Sequence, residues 1–469
     1  MRMIPLVTLL LTLSVHAGDL GSLSFPTSAT NPKAQALFER GVAALHSFWY
    51  EEAASAFQAA RELEPALAMA YWGEAMSYNH PIWMEQDREA ARAVLAALPS
   101  GAGNAREKEW LVTLDALYGG DGDKRSRDVA YERALGAMAA KYPDDIEAQA
   151  FHALSILGTM TRDARDARRQ IAAAAILEPL ADRVVDHPGV LHYMIHAYDD
   201  PLHAPLGLRA ARRYAKVAPS AHHALHMPSH IFLQLGMWDD AARSNEQSYA
   251  ASLAWVERAK LPSSKRDLHS LTWLQYIYLQ QGRVEDAQRL LAEVAEEKGT
   301  SERERSTRAR MLAAFAVETG RSLETIVGAE DEVAHCAAAK TTSSDVANYA
   351  QAFTAIRRGD LDAARSGIAA LAGMSSNKTA QVMELTLRAL TEQKSGNLAK
   401  AIELAAQAAA LEETMSAPSG PPDVLKPSHE LYGELLAAAG RCDESRDAFR
   451  QSLLRTPNRR LSTNTAECK

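Results

Sequence analysis

Residues 34–65 read AQALFERGVAALHSFWYEEAASAFQAARELEP, two helix-length segments of apolar periodicity joined by a short turn. Small residues stand at Gly41, Ala53 and Ala60, aromatic ones at Tyr50 and Phe57, and Pro65 closes the stretch. Small side chains at those places allow two helices of a hairpin to approach closely. The same punctuation returns in residues 428–457, SHELYGELLAAAGRCDESRDAFRQSLLRTP, through Gly433, Gly440, Phe449 and Pro457. Between them, LQLGMWDDAARSNEQSYAAS (233–252), LQQGRVEDAQRLLAEV (279–294), IRRGDLDAARSGIAAL (356–371) and EQKSGNLAKAIELAAQAA (392–409) each carry a Gly-x-hydrophobic-x-x-Ala turn. A hairpin of this kind cannot bury its apolar face alone, so recurrence predicts a stack of hairpins around one continuous core.

The pattern resembles the tetratricopeptide repeat. That resemblance implies an all-α fold, an α-solenoid in which helix hairpins wind into a right-handed superhelix, with about ten pairs over 31–457. It also implies that the first helix of each pair lines a concave inner face. The histidine-rich central repeats occupy 144–297. Residues 100–144 and 414–427 are rich in Gly, Pro and Ser and are expected to be less regular. Residues 458–469, NRRLSTNTAECK, have no apolar periodicity and are expected to form an irregular, frayed tail.

The chain begins with a basic Arg2, an apolar run from Ile4 to Val15 and a small-x-small site at Val15-His16-Ala17. Residues 1–17 therefore read as a cleavable secretory signal peptide, 18–30 as an N-terminal linker, and the mature protein is expected to be exported, to the periplasm. No later segment has the length of apolar sequence that a spanning helix needs. A formal net charge of −8 argues against a nucleic-acid footprint. Three cysteines, Cys336, Cys442 and Cys468, are too few for a disulfide framework or a thiolate metal site, although Cys442 and Cys468 are able to close one loop.

Eight of the 15 histidines fall between residues 187 and 230. HYMIHAYDD (192–200) and HHALHMPSH (222–230) each contain a pair four residues apart, His192/His196 and His226/His230, and the pairs are offset by 34 residues, one repeat length. With the turn glycine set at repeat position 15, Gly236 places His223, His226 and His230 at positions 2, 5 and 9. Gly158 places His152 at 9, and Gly282 places His269 at 2. Setting Pro219 at position 32 puts His192, His196 and Asp199 at 5, 9 and 12. In the repeat family these positions face the concave groove. Side chains at i and i+4 have Cβ atoms roughly 5–6 Å apart, close enough to share a metal ion. His187, at the start of its helix, and Asp199, at position 12, are further candidate ligands, and Asp199 and Asp267 are also candidates to orient imidazoles. Glu74 and His80, among Trp72, Trp83 and Met84, are candidate groove residues, though helix packing explains them as well. Met194 and Met227 fit core packing better than ligation, and isolated histidines such as His46, His335 and His429 are expected to be ordinary hydrogen-bonded residues.

The runs HPGVLHYMIHAYDDP (187–201) and APSAHHALHMPSHIFLQLGMWDDAARSNEQS (218–248) resemble the signature HPGxxHYxIHA … HxxHMPSHI of a bacterial family of exported tetratricopeptide-repeat proteins. His187, His192, His196, His223, His226 and His230 match it. YWGEAMSYN (71–79) and KPSHELYGELL (426–436) are similar to flanking stretches of that family. The family is known by its repeats and not by an activity, so the resemblance implies the fold and the choice of histidines and supplies no reaction.

Three functions compete. In the first, groove imidazoles bind a transition metal: zinc, copper or iron all accept this ligand. In the second, the solenoid is a scaffold that holds a protein or peptide partner in its groove. In the third, a histidine acts as a general base without metal. Neither HExxH nor GxxxxGK occurs, so the familiar zinc-protease and phosphate-loop classes gain no support.

Overall fold

The computed structural model of the chain describes residues 19–160, 166–295, 301–323, 326, 329–338 and 344–463. Residues 1–17, read from sequence as a signal peptide, and Cys468 lie outside these. The described chain is a succession of helix hairpins: α1 (Pro32–His46) with α2 (Tyr50–Leu63), α3 (Ala68–Met76) with α4 (Arg88–Ala96), α5 (Ala105–Tyr118) with α6 (Lys124–Lys141). Next come α7 (Ile146–Gly158) with α8 (Ala167–Arg183), and α9 (Pro188–Ala197) with α10 (Ala204–Val217). A first helix broken into α11 (His222–His226) and α12 (Pro228–Gln234) then pairs with α13 (Trp238–Arg258). The second half continues as α14 (Leu268–Gln280) with α15 (Val284–Ala295), α16 (Glu302–Thr319) with α17 (Ala329–Ala338), and α18 (Ser344–Arg358) with α19 (Leu361–Ala372). It ends with α20 (Lys378–Lys394) and α21 (Leu398–Glu413), α22 (Ser428–Ala438) and α23 (Cys442–Arg455), and a short α24 (Arg460–Thr463). Two residues on each side, β1 (Asn79–His80) and β2 (Glu85–Gln86), pair antiparallel. This is the all-α tetratricopeptide-type solenoid that the repeat pattern predicts. No described helix is long and apolar enough to cross a membrane.

Local sequence explains the helix starts that matter. Asp145 caps α7 by accepting from Ala148 N–H, and Asp267 caps α14 by accepting from His269 and Ser270. Pro188 stands in the first turn of α9, where its missing N–H costs nothing. Pro228 separates α11 from α12 because it has no N–H for the carbonyl of Ala224. Small residues do what the repeat pattern demands of them. The ring of Phe57 lies where a Cβ on Gly41 or Gly73 would be, 2.6 Å and 2.3 Å from its nearest atom. Any larger residue at either glycine would push α1 or α3 off that ring.

The first five hairpins close on themselves. Helix α1 packs against α3 and also against α9. The close approach depends on Gly189, whose Cβ would lie 2.3 Å from His46 Nδ1. The segment 19–31, read from sequence as a linker, is part of this core. Phe25 is fully buried and meets Phe38, Trp72 and Trp110 at ring distances of 5.3, 5.9 and 5.1 Å. Ser22 donates its N–H to Asp186 O at 3.0 Å, and Ser220 donates to Asp19 O at 3.2 Å, tying the segment to the ends of α8 and α10.

The second half is closed from its other end. The tail expected to fray is instead held in place as far as residue 463. Arg459, fully buried, reaches Glu430 Oε2 at 2.8 Å, Glu318 Oε1 at 2.5 Å and the Tyr276 hydroxyl at 3.2 Å, so one guanidinium ties α14, α16 and α22. Apolar periodicity could not reveal this, because the anchor is a charged side chain. Cys442 is disulfide-bonded and Cys336 is a buried thiol.

Candidate metal centre

Helices α9, α11, α12 and α14 bring six histidines together in two groups of three: His192, His196 and His223, then His226, His230 and His269. Within each group one nitrogen per ring lies within 4.8 Å of the others. In the first, His192 Nε2 stands 3.1 Å from His196 Nε2 and 3.2 Å from His223 Nε2. In the second, His226 Nε2 and His230 Nε2 are 3.1 Å apart. The groups are adjacent: the rings of His196 and His230, and those of His223 and His226, have centroids 5.9 Å apart. Each trio follows one rule of the repeat. Positions 5 and 9 of one unit supply a pair, and position 2 of the next unit completes it.

The same rule shows why His152 stands apart. Its unit has Ala148 at position 5, and the next unit has Gly189 at position 2, so no partners exist. Its ring packs instead against Gly136 on α6.

Hydrogen bonds fix which nitrogen of each ring faces inward. His192 Nδ1 lies 2.6 Å from the His46 carbonyl, which only accepts, so Nδ1 carries the proton and Nε2 a lone pair. His226 Nδ1 lies 2.7 Å from Asn245 Oδ1, and the Asn245 amide is oriented by its own donation to Ala241 O at 2.9 Å. His230 Nδ1 lies 2.8 Å from Asp199 Oδ2. The Nε2 atoms of His226 and His230 therefore face each other across the second trio. Burial, and after it the neighbouring imidazoles, pushes His192, His223 and His226 well below the ordinary histidine range, which favours the uncharged rings a metal requires.

Aromatic rings wall both trios. Phe48, at φ 53 in the left-handed region, sits 4.3 Å from His192, 5.8 Å from His196 and 5.6 Å from His223. An unbranched non-glycine residue holds that conformation only when its surroundings enforce it. Trp273, one helical turn after His269, lies 4.9 Å from His226 and 4.3 Å from His230. His192 and His226 are fully buried, but His196, His223 and His230 keep 7 %, 8 % and 8 % of their surface exposed. His269 is exposed. The centre is thus sunk beneath aromatic cover and open on one side.

The remaining candidates have other duties. His187 is engaged at both nitrogens: Nδ1 accepts from Val190 N–H at 3.2 Å and Nε2 faces Glu147 Oε1 at 3.0 Å. Glu147 also receives His46 Nε2 at 2.7 Å, while His46 Nδ1 meets the Tyr193 hydroxyl at 2.7 Å. His46, Glu147 and His187 form a third group with metal-compatible distances, yet every imidazole nitrogen in it has a protein partner. Burial raises the Glu147 carboxyl, but the two imidazoles aimed at it outweigh this and hold it at about 2. This cluster is a buried strut between α1, α7 and α9. Asp199 orients His230, and Glu74 is held by Arg61 at 2.9 Å and Gln58 at 3.0 Å. His80 stacks on Tyr50 at 3.8 Å. From the 71–87 stretch it is Trp83 that reaches the first trio, 5.5 Å from His223. Met194 and Met227 are buried in the apolar core.

Phe48, Trp273 and Asn245 were not legible as site residues. Trp273 follows His269 at i+4, and Asn245 interrupts the buried face of α13, which are the signals that could have pointed to them.

No protein-family model matches the chain, and no curated protein matches it. Among solved structures it is similar to the human IFIT1 dimer with m7Gppp-AAAA, at 14% identity and a TM-score of 0.41 over 91% of this chain and 90% of that one. Yeast Tom70 follows with 10% identity and a TM-score of 0.43 over 93% of each chain. The Cut9 complex with Hcn1 has 14% identity and a TM-score of 0.38 over 86% of this chain and 76% of that one. At such overlaps nothing these proteins bind transfers to this chain.

Proposed function

We propose that the protein is a metal-binding helical-repeat protein whose two histidine trios, His192/His196/His223 and His226/His230/His269, each hold one transition-metal ion. One observation carries this reading. His226 and His230 both turn Nδ1 to outside acceptors, so their Nε2 atoms meet at 3.1 Å, an arrangement that calls for a cation, a metal ion or a shared proton, between the two nitrogens. Backing of His192 by a carbonyl, His226 by an amide oxygen and His230 by a carboxylate is how proteins orient metal-bound imidazoles. Three imidazoles leave a coordination position for a small exogenous molecule, which suits chemistry at the metal as well as storage of it. An exported setting, as the N-terminal sequence suggests, would give the site access to metals outside the cytoplasm.

The test is elemental analysis of untagged protein stripped with chelator and reloaded with zinc. Two ions per chain are expected, one in His230→Ala, one in His196→Ala, and two in His152→Ala. Loss of no metal in either trio variant, with circular dichroism unchanged, would sink the reading and leave a partner-binding scaffold as the alternative.

A further inference from the structure

Resting on the two trios as metal sites, we infer that they form a single dinuclear copper centre whose ligand is dioxygen. Facing imidazoles of the two trios are 5.9 Å apart at two places, so ions held on either side share the space between them and one small molecule can bridge both. The donor set selects the metal. All six candidate ligands are imidazoles, with no carboxylate among them, whereas non-haem iron sites that use oxygen carry a carboxylate beside their histidines. Copper stands highest in affinity for nitrogen donors among the divalent first-row metals.

Charge decides the oxidation state. Neutral imidazoles cancel none of the charge of the ions they bind. Two carboxylates lie near the trios: Asp199 on His230, and Asp267, which caps α14 just before His269 and lies 3.3 Å from His222. Two monovalent copper ions match those two negative charges, and two divalent ions would exceed them by two. Dioxygen resolves the excess. Each Cu(I) gives up one electron, O2 takes both and becomes the peroxide dianion, and the O–O bond order falls from two to one while both metal–oxygen bonds form. The centre's net charge is the same before and after. No proton and no further reductant enters the step.

The surroundings suit such a ligand. Phe48, Trp83 and Trp273 cover the trios with apolar rings, and the narrow exposure of His196, His223 and His230 admits a diatomic molecule more readily than a polymer. An apolar roof also keeps bulk water from a bound peroxide.

The experiment loads the full chain with Cu(I) under anaerobic conditions, removes excess copper, and then admits oxygen. Expected results are two copper ions per chain, one O2 consumed per chain, a new near-ultraviolet absorption band, and no Cu(II) paramagnetic resonance because the paired spins cancel. His196→Ala and His230→Ala should each bind one copper and consume less than a tenth as much oxygen in the same time. Two bound copper ions with no oxygen uptake, or a resonance integrating to two isolated Cu(II) spins, would overturn the proposal. So would a chain that holds two zinc ions but refuses copper, and in these cases the metal-site reading survives. Failure to bind either metal removes both.

Discussion

Asn245 illustrates how much of a metal site lies one bond beyond its ligands. Its amide is locked by Ala241 O, so only its oxygen faces His226 Nδ1, and that single choice sends the His226 lone pair inward. Asn245→Leu leaves the ring free to carry its proton on either nitrogen. We expect metal affinity at the second trio to fall roughly 10–100-fold, with the first trio unaffected, as read by competition with a chromogenic chelator. Asp199→Asn should act in the same direction on His230. A variant that kept full affinity would show that ring packing against Trp273 suffices to set the geometry. The histidines themselves were legible from their spacing, because i and i+4 on a helix share a face whatever the fold around them. Among their orienting partners Asp199 was legible too, but Asn245 and the His46 carbonyl were not, since they reach the rings from helices packed alongside.

At the scale of elements, the contact between α1 and α9 sets the first trio, and it depends on a residue with no side chain. Gly189→Ala would drive a methyl to 2.3 Å from His46 Nδ1, so α1 must retreat or the imidazole must turn. The expected cost is about 1–3 kcal/mol in urea unfolding, the usual penalty for overfilling a packed core. The His46 carbonyl would move with α1, so weaker metal binding at His192 should accompany the lost stability. The pattern HPG at 187–189 marked the start of α9 in the sequence, but its glycine gave no hint of a helix arriving from residues 32–46.

For the whole molecule, closure of the second half rests on Arg459. Arg459→Met leaves buried Glu318 with only the Gln280 amide and buried Glu430 with Lys426 as its one cation, and a loss of about 3–5 kcal/mol is expected. Thermal unfolding with and without the substitution measures it. The same network predicts an acid limit. Burial raises the Glu430 carboxyl, but the charges of Arg459 and Lys426 overcome this and lower it from 4.5 to about 2. A depressed acid stabilises the fold fully above its unfolded value, near 4.5, and the contribution fades as the pH falls towards 2. By the size of the shift it is on the order of 3 kcal/mol. Unfolding midpoints taken between pH 5 and pH 2 should fall more steeply in the native chain than in Glu430→Gln. Equal slopes would show that other groups govern the acid transition.

The amino-acid sequence by itself determined the repeat, the all-α class and the inward face of the histidine pairs, because all three follow from periodicities of a few residues within one helix or one hairpin. Which rings meet was decided only by the tertiary structure. His223 and His269 each join the pair of the preceding unit, while His152 and His187 drop out, since membership depends on what the adjacent helix offers at one position. The docking of the N-terminal segment through Leu20 and Phe25 and the anchoring of Arg459 were likewise beyond the sequence. Both join residues more than a hundred positions apart, and long-range contacts of that kind leave no period to read.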